Sequence, residues 1–371
     1  MPSNDTTQPA VILSTAKNLV RGNETLRSAQ GDKPDVQLQT LLEVKDLRIS
    51  FPLDEGTVKA VDGIDLAIER GGVLGLVGES GCGKSVTAQS ILRIVPRPGR
   101  IDSGQILLHR HTAADSPAKV IDIARLNPTG KEIRSIRGKD ISMIFQEPMS
   151  SFSPLHTIGS HISEAILEHQ SISRQEARTL AIELLSKVGI PNAARRFEQY
   201  PHELSGGMRQ RAMIAIALSC NPSLLIADEP TTALDATIQA QILDLMRGLQ
   251  KEIGMAILFI THNLGTVAQM ADRVAIMYLG KVVETGTVRD IFHHPHHPYT
   301  RDLLRAIPRI GKTRGQRLAA IGGGIPNPFE RPSGCAFHPR CKDYIAGRCE
   351  ASAPAMTQVS DSHSVWCFRL Q

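Results

Sequence analysis

This 371-residue chain has few aromatic residues and no long apolar run, and its positive and negative charges nearly balance. Aromatic residues make up 4% and the formal net charge is +5, a combination that does not describe a nucleic-acid-binding surface. The longest apolar stretches, such as residues 255–260, fall well short of the ~20 residues that a bilayer-spanning helix requires. Residues 1–38 lack the apolar segment of a secretory signal. The length of the chain and its 41% of hydrophobic residues are ample for a sizeable core and predict one large domain plus an appendage, which agrees with a soluble protein such as an enzyme.

A glycine-rich loop stands at residues 78–85, where the sequence GESGCGKS fits the pattern G-x-x-x-x-G-K-[ST]. The apolar run at residues 73–77 predicts a buried parallel strand, and a helix is expected to begin near Lys84. The backbone N–H groups of such a loop, together with the helix N-terminus, bind phosphate oxygens. We therefore expect Lys84 to reach the β- and γ-phosphates of a nucleotide and Ser85 to ligate Mg²⁺. A glycine-rich turn that only packs beside a helix is the weaker alternative.

Two adjacent carboxylates follow another apolar run. Residues 224–227 predict a second buried strand, and Asp228 and Glu229 stand at its C-terminal end, which should lie beside the phosphate loop. We expect Asp228 to hold Mg²⁺, directly or through water. Glu229 is expected to orient and deprotonate the attacking water, an assistance worth about 10²–10⁴ in rate. Two solvated acids would be the simpler interpretation if this pair stood alone.

Three further motifs accompany these two in a fixed order. Gln146 follows the predicted strand at residues 141–145, the sequence LSGGM occupies residues 204–208, and His262 follows the predicted strand at residues 256–260. The series resembles the ATP-binding cassette (ABC) ATPases. The resemblance implies Gln146, Glu229 and His262 as catalytic residues, and Mg²⁺ contacts from Ser85, Gln146 and Asp228. The implied ATP contacts within the phosphate loop are Gly78, Ser80, Gly81, Cys82, Gly83, Lys84, Ser85 and Val86.

Residues outside the phosphate loop complete the implied ATP site. Ser205 can cap the helix that follows it, so the open N–H groups of this turn form a second anion site. ABC subunits pair head to tail, and the resemblance implies that Ser205, Gly206 and Gly207 of one subunit close over ATP held by the other. It also implies Asp235 as a contact across that interface. Phe51 is the implied aromatic residue that stacks on adenine, although on its own it would be interpreted as an ordinary core residue.

The hydrophobic pattern predicts an α/β fold. Residues 42–50 and 60–68 alternate as antiparallel strands do, and from the phosphate loop onward buried strands alternate with helices. Helical patterns at residues 160–169 and 174–188 predict a helical lobe. The implied architecture is an ABC-type P-loop cassette with a mixed sheet core, an antiparallel β subdomain and a helical subdomain.

The resemblance to ABC ATPases implies a division of the chain into three segments. Residues 1–38 are expected to be a disordered leader. Residues 39–290 are expected to form the nucleotide-binding domain, with its helical lobe at about residues 150–220. Residues 291–371 are expected to form a cysteine-rich C-terminal extension with a four-cysteine site.

Two short sequences indicate which group of ABC ATPases the chain resembles. FQEPM at residues 145–149 and HPYT at residues 297–300 are similar to the ATPase subunits of dipeptide and oligopeptide importers, a group that includes nickel importers. Phe152, Ser153 and Asn263 depart from that group at non-catalytic positions. The implied function is ATP-driven peptide import, with nickel import as the alternative, at the cytoplasmic face of the cell membrane. The implied partners are a homologous ATPase subunit in a heterodimer, two transmembrane permease subunits and, indirectly, an extracytoplasmic substrate-binding protein.

Two rival classes share the cassette motifs. ABC ATPases of DNA repair insert zinc modules or coiled coils in the cassette, and the segment from Gln146 to Leu204 leaves no room for them. A regulatory or scaffold cassette would lack the catalytic base, whereas Glu229 is present. We therefore expect an active ATPase with no nucleic-acid partner.

Four of the six cysteines lie beyond residue 334, at Cys335, Cys341, Cys349 and Cys367. Clustered thiols in a cytosolic ATPase indicate metal rather than disulfides. Their spacing, C-x5-C-x7-C-x17-C, matches neither common zinc pairs nor ferredoxin runs and leaves the metal open. The sequence GCAFHPRC at residues 334–341 resembles the C-terminal extension of peptide-importer ATPases, which can carry a [4Fe–4S] cluster. The resemblance implies that all four thiolates ligate this cluster, with zinc and four free thiols as alternatives.

Overall fold

The computed structural model describes residues 39–110, 119–146, 152–232, 234–307 and 321–371. The leader expected at residues 1–38 lies outside these ranges, and so do positions 147–149 of the FQEPM sequence. Within the described ranges, no helix is both long enough and apolar enough to cross a membrane.

Two sheets provide the framework. The strands in chain order are β1 (Thr40–Leu53), β2 (Gly56–Glu69), β3 (Val73–Val77), β4 (Arg100–Arg110), β5 (Lys119–Asp122), β6 (Ile141–Ile144), β7 (Leu224–Asp228), β8 (Ala256–Thr261), β9 (Arg273–Tyr278), β10 (Lys281–Thr287), β11 (Thr357–Ser360) and β12 (His363–Val365). An antiparallel sheet has the order β2-β1-β4-β5, and a mixed sheet has the order β11-β12-β10-β9-β3-β8-β7-β6. The predicted mixed sheet core and antiparallel β subdomain are confirmed.

Helices pack around the mixed sheet and form a separate lobe. They are α1 (Lys84–Ile91), α2 (Lys131–Ile136), α3 (Ile158–His169), α4 (Arg174–Lys187), α5 (Ala193–Phe197), α6 (Gly206–Leu218), α7 (Ala236–Ile253), α8 (Leu264–Met270), α9 (Val288–His293) and α10 (Pro298–Arg305). In the helical lobe, Thr157 caps α3, and Ser173 forms a capping box with Glu176 at the start of α4. These local signals explain why both helices begin within two residues of their predicted positions.

The parallel part of the mixed sheet brings the sequence motifs to one edge. Strand β3 pairs in parallel with β8, β8 with β7, and β7 with β6. In this register Val77 lies opposite Thr261, and Asp228 lies opposite Ile260. Because parallel strands end at the same edge, the phosphate loop after β3, the carboxylates at the end of β7 and His262 after β8 become neighbours.

Alternate residues of the parallel strands face two different cores. Val73 and Val77 pack with the helical lobe, whereas Leu74 and Leu76 pack with the antiparallel sheet. Successive side chains of a strand point to opposite faces, so a strand buried on both sides must be apolar throughout. This explains the uninterrupted apolar runs seen in the sequence.

The C-terminal segment adds strands to the same mixed sheet. Strand β12 pairs antiparallel with β10, and β11 pairs with β12. The rings of Tyr278, Tyr299 and Phe337 pack together, with centroids 4.7 to 5.3 Å apart. Residues beyond the predicted cassette therefore share its sheet and its core.

Candidate functional site

The phosphate loop leaves β3 and enters α1 at Lys84, where the helix was predicted to begin. A Cβ atom at Gly78 would lie 2.1 Å from the carbonyl oxygen of Met277, and one at Gly83 would lie 2.3 Å from that of Ala60. Gly81 and Gly83 also adopt φ values of 78° and 106°, which favour glycine. The glycines of the motif are therefore required by the shape of the loop.

Lys84 is buried and folded back onto the loop. Its Nζ donates hydrogen bonds to the carbonyl oxygens of Gly78 and Glu79, each over 2.9 Å. No side chain caps the start of α1, so its first N–H groups can bind an anion. Ser80 and Gly81 are exposed at the mouth of the loop, and Ser85 and Val86 are half-buried. The thiol of Cys82 is buried, which raises its pKa.

Asp228 has the chemistry of a Mg²⁺ ligand. The residue is 3% exposed, and its Oδ1 has no hydrogen-bond partner among the described residues. Burial raises the pKa of Asp228, while a hydrogen bond with Ser85 and the charge of Lys84 oppose that rise. A buried carboxylate oxygen without a partner is costly unless a cation binds it. Ser85 and Asp228 therefore fit a shared Mg²⁺ ion.

The other two predicted catalytic residues, His262 and Gln146, both contact the carboxylate of Glu229. His262 Nδ1 lies 2.9 Å from Oε1, and Gln146 Nε2 donates to Oε2 over 3.3 Å. Burial opposes ionisation of Glu229, but hydrogen bonds from His262 and Thr232 outweigh it and lower the pKa of the carboxyl group. Glu229 is therefore ionised at neutral pH, as a base for water must be.

Thr232 contacts Glu229, and this contact was not predicted from the sequence. Its hydroxyl donates to Glu229 Oε2 over 2.9 Å. Glu229 adopts a φ of 46°, and its N–H donates to the carbonyl oxygen of Ile260. This left-handed turn brings Thr232 back toward the carboxylate, and the sequence contains no signal that would have revealed it.

The signature turn, residues 204–208, starts helix α6 as predicted. The hydroxyl of Ser205 accepts a hydrogen bond from Met208 N over 3.4 Å, and both Ser205 and Gly206 are exposed. A Cβ atom at Gly207 would lie 3.0 Å from Ile238, so the turn packs against the start of α7. None of the contacts described for this turn involves the phosphate loop, so the two turns are separate in this chain.

Asp235 and Phe51 have structural contacts as well as their predicted roles. Asp235 caps α7, since its Oδ1 accepts from Thr237 N and Ile238 N over 3.1 and 3.0 Å. The ring of Phe51 lies against Gly99, where a Cβ atom would come within 2.5 Å of it, and against the β-subdomain core. Stacking on adenine by Phe51 and a contact across a subunit interface by Asp235 stay predictions.

The chain segments that carry the four C-terminal cysteines are bonded to one another. Cys335 N donates to the carbonyl oxygen of Cys349 over 2.8 Å, and Ile345 N donates to Cys349 Sγ over 3.4 Å. An ion pair of 2.7 Å between Arg369 and Asp343 joins the regions of Cys367 and Cys341. None of the six cysteines forms a disulfide bond.

The thiol groups themselves are shielded from solvent. Cys349 and Cys367 are buried, and Cys335 and Cys341 are half-buried. Burial raises the pKa of Cys335 and Cys367 and raises that of Cys341 to about 11, with further contributions from the neighbouring thiols. Among the described residues, no group of three or more His, Cys, Asp or Glu side chains has the arrangement of a metal site.

Two family models match the chain. The model described as ABC transporter matches residues 61–232, and the model described as oligopeptide/dipeptide transporter, C-terminal region, matches residues 283–349. These matches include the phosphate loop, the signature turn and three of the four C-terminal cysteines.

Similar proteins and structures extend over most of the chain. The dipeptide transport ATP-binding protein of Bacillus subtilis is 47% identical over 332 residues, 89% of this chain and 95% of the relative. The oligopeptide transport ATP-binding protein of the same organism is 48% identical over 331 residues, 89% of each chain. An ATP-binding cassette, solved as a dimer in a post-hydrolysis state bound to ADP and phosphate, has a TM-score of 0.58 and 26% identity. That match covers 67% of this chain and 99% of the solved chain.

Proposed function

Because this chain belongs to the ABC transporter family and carries the C-terminal region of oligopeptide and dipeptide transporters, we propose that it powers peptide import by hydrolysing ATP. The two Bacillus subtilis relatives are named for dipeptide and oligopeptide transport. Nickel import, the alternative, is not favoured by these names. Peptides are therefore the proposed cargo.

One observation carries the proposal of ATP hydrolysis: an ionised Glu229 held by three side chains lies next to the buried, partly unpartnered Asp228. In the proposed reaction the water oxygen attacks the γ-phosphorus of ATP while the bond from this phosphorus to the β–γ bridging oxygen breaks, so that ADP and phosphate form. Glu229 accepts the proton of the attacking water, and Gln146 and His262 orient the Glu229 carboxylate. Lys84 exchanges the loop carbonyls for phosphate oxygens. Ser85, Gln146 and Asp228 would hold Mg²⁺, which would neutralise charge that develops on the transferred phosphoryl group.

Closure of two subunits over ATP is the proposed link between hydrolysis and transport. The phosphate loop and the signature turn are separate anion sites whose described contacts do not meet. A second subunit that supplies Ser205, Gly206 and Gly207 would complete the site over the γ-phosphate, with Asp235 at the interface. The dimeric cassette structure supports this arrangement for the present chain.

The proposed partners follow from the importer function. They are a homologous ATPase subunit, two transmembrane permease subunits and, indirectly, an extracytoplasmic substrate-binding protein. The proposed place of action is the cytoplasmic face of the membrane, where the chain would bind peripherally to the permeases. No contact with nucleic acid is part of this proposal.

A [4Fe–4S] cluster held by Cys335, Cys341, Cys349 and Cys367 is the finer proposal. It is supported by the hydrogen bonds and ion pair that join the four cysteine regions, and by the backbone N–H that donates to Cys349 Sγ. Hydrogen bonds of this kind tune cluster potentials. Zinc is the runner-up.

Reconstitution of the transporter tests the function. The chain, its homologous ATPase partner and the permeases are placed in proteoliposomes with their binding protein, and ATP hydrolysis is measured with added peptides or with Ni²⁺. Stimulation by peptides supports the proposal. Stimulation by Ni²⁺ alone would mean that nickel, and not peptide, is the cargo. If no ATP is hydrolysed under any condition, both peptide import and nickel import are refuted.

A further inference from the structure

A side chain from the four-cysteine segment, residues 335–367, contacts the phosphate loop. Arg340, which directly precedes Cys341, donates to both carboxylate oxygens of Glu79, with Nη1 2.7 Å from Oε2 and Nη2 3.1 Å from Oε1. Glu79 is the second residue of the phosphate loop, 261 positions earlier in the chain. The Arg340 side chain is only 4% exposed. A bidentate, shielded pair of this geometry is among the stronger polar contacts in proteins.

Arg340 is held in place from several sides. Its Nε donates to the carbonyl oxygen of Gly322 over 3.0 Å, and its guanidinium lies over the rings of Tyr278 and Phe337. The hydrogen bond with Glu79 raises the pKa of Arg340 above its ordinary value, so the group keeps its charge. A planar guanidinium fixed in this way can orient a carboxylate that a flexible lysine could not.

The backbone of Glu79 has a second support from the same region. Glu79 N donates to the hydroxyl of Tyr299 over 3.0 Å, and the Tyr299 ring packs against Phe337. The carbonyl oxygen of Glu79 in turn accepts from Lys84 Nζ over 2.9 Å. Tyr299 and Arg340 therefore both hold Glu79, whose carbonyl oxygen contacts Lys84, the lysine that is expected to bind phosphate.

The charge of Glu79 gives Arg340 a specific task. A carboxylate within a loop that binds a triphosphate repels that ligand unless a cation neutralises it. Lys84 cannot serve both the carboxylate and the phosphates. Arg340 is the cation that meets Glu79 in a bidentate pair.

We infer that Arg340 is a positioning residue of the ATP site, which fixes Glu79 and cancels its charge so that the phosphate loop accepts ATP. The inference rests on the proposed ATPase function. It makes the four-cysteine segment a part of the nucleotide site, and it means that damage to that segment weakens ATP binding.

Four forms of the full-length chain test this inference: wild type, Arg340→Gln, Glu79→Gln and the double variant. The dissociation constants of Mg-ATP, Mg-ADP and adenosine are measured by calorimetry at constant ionic strength. Arg340→Gln should weaken ATP binding about tenfold or more, as expected for loss of a charged hydrogen-bonded pair. The effect should be smaller for ADP and absent for adenosine. Glu79→Gln should restore ATP affinity in the Arg340→Gln background, because it removes the uncompensated charge.

Arg178→Gln is the matched control, since it breaks an ion pair with Glu198 in the helical lobe, outside the four-cysteine segment and the phosphate loop. It should leave ATP affinity unchanged. Iron content and thermal unfolding of each variant are recorded, and Arg340→Lys replaces Arg340→Gln if the latter does not fold.

Three outcomes overturn the inference. The first is unchanged ATP affinity in Arg340→Gln, and the second is an equal loss for adenosine. The third is no rescue by Glu79→Gln, which would mean that Arg340 only stabilises the segment. If the wild type does not bind ATP, the proposed function itself is refuted. If the wild type binds ATP and Arg340→Gln binds it with the same affinity, only this inference is refuted.

Discussion

His262 Nδ1 lies 2.9 Å from Glu229 Oε1, and this hydrogen bond joins the ends of strands β8 and β7. It commits one ring nitrogen of His262 to the carboxylate, so a contact between His262 and a phosphate has to use Nε2. The proposed base for water and the proposed phosphate contact of His262 would thereby be joined by one hydrogen bond. The pair depends on the parallel register of the two strands.

Asp228→Asn should strongly lower the rate of Mg²⁺-dependent hydrolysis. The unpartnered Oδ1 of Asp228 would lose the charge that attracts the ion, and a Lewis acid contributes several kcal/mol, so the rate should fall about a hundredfold or more. Nucleotide binding in the presence of EDTA should persist. Hydrolysis assays over a Mg²⁺ titration check this, with Asp244→Asn, an exposed acid on α7, as the control. An unchanged Mg²⁺ requirement in Asp228→Asn would contradict the assignment.

The pH dependence of hydrolysis should report the environment of Glu229. Its pKa is lowered from the ordinary value of 4.5, and the base acts when deprotonated, so activity should persist until the pH falls below the ordinary Glu range. Thr232→Val removes a hydrogen bond to the carboxylate, which should raise the pKa of Glu229 and move the acidic limb of the pH–rate profile to higher pH. Thr231→Val is the isosteric control. A limb that stays in place would show that another group titrates there.

Ser205→Ala should lower hydrolysis more than its effect on stability explains. Loss of the cap on α6 should cost about 0.5–2 kcal/mol of stability. Ser173→Ala removes a comparable cap from α4 in the same lobe and serves as the control. Both variants should lower the melting temperature, but only Ser205→Ala should impair ATP hydrolysis by the paired subunits. Equal hydrolysis rates in the two would remove the signature turn from the site.

The four-cysteine segment should yield iron when the protein is purified without oxygen. We expect about four iron and four sulfide per chain and a brown protein. Cys367→Ser should lower the iron content, while Cys220→Ser, which changes a half-buried thiol elsewhere, should not. Stoichiometric zinc would establish the runner-up, and a colourless, metal-free protein would leave four free thiols.

Much of the fold could be predicted because its central strands are buried on both faces. Strands β3, β7 and β8 appear in the sequence as uninterrupted apolar runs, and their predicted ends differ from the structure by at most one residue. Strand β4 was missed because much of residues 100–110 is exposed or half-exposed and does not alternate clearly. Strands β11 and β12 are short, and β11 is largely exposed.

The site was predictable where the motif itself lies at a strand end. Gln146, Glu229 and His262 were expected to act together, and the structure brings them into contact. The contacts of Thr232 and Arg340 could not be predicted, because one depends on a left-handed turn and the other on a pairing across most of the chain. Such contacts are decided by tertiary structure and carry no local pattern.

The most direct test of the account is the rate of ATP hydrolysis by the assembled transporter that carries Glu229→Gln in this subunit. Binding of Mg-ATP to the isolated chain should be retained, because Glu229 is not a phosphate ligand. The hydrolysis rate at the site that contains Glu229 should fall by about 10² or more, the usual contribution of a general base. Glu132→Gln, an exposed acid on α2, is the control and should not change the rate. Wild-type hydrolysis at that site in Glu229→Gln would contradict the account.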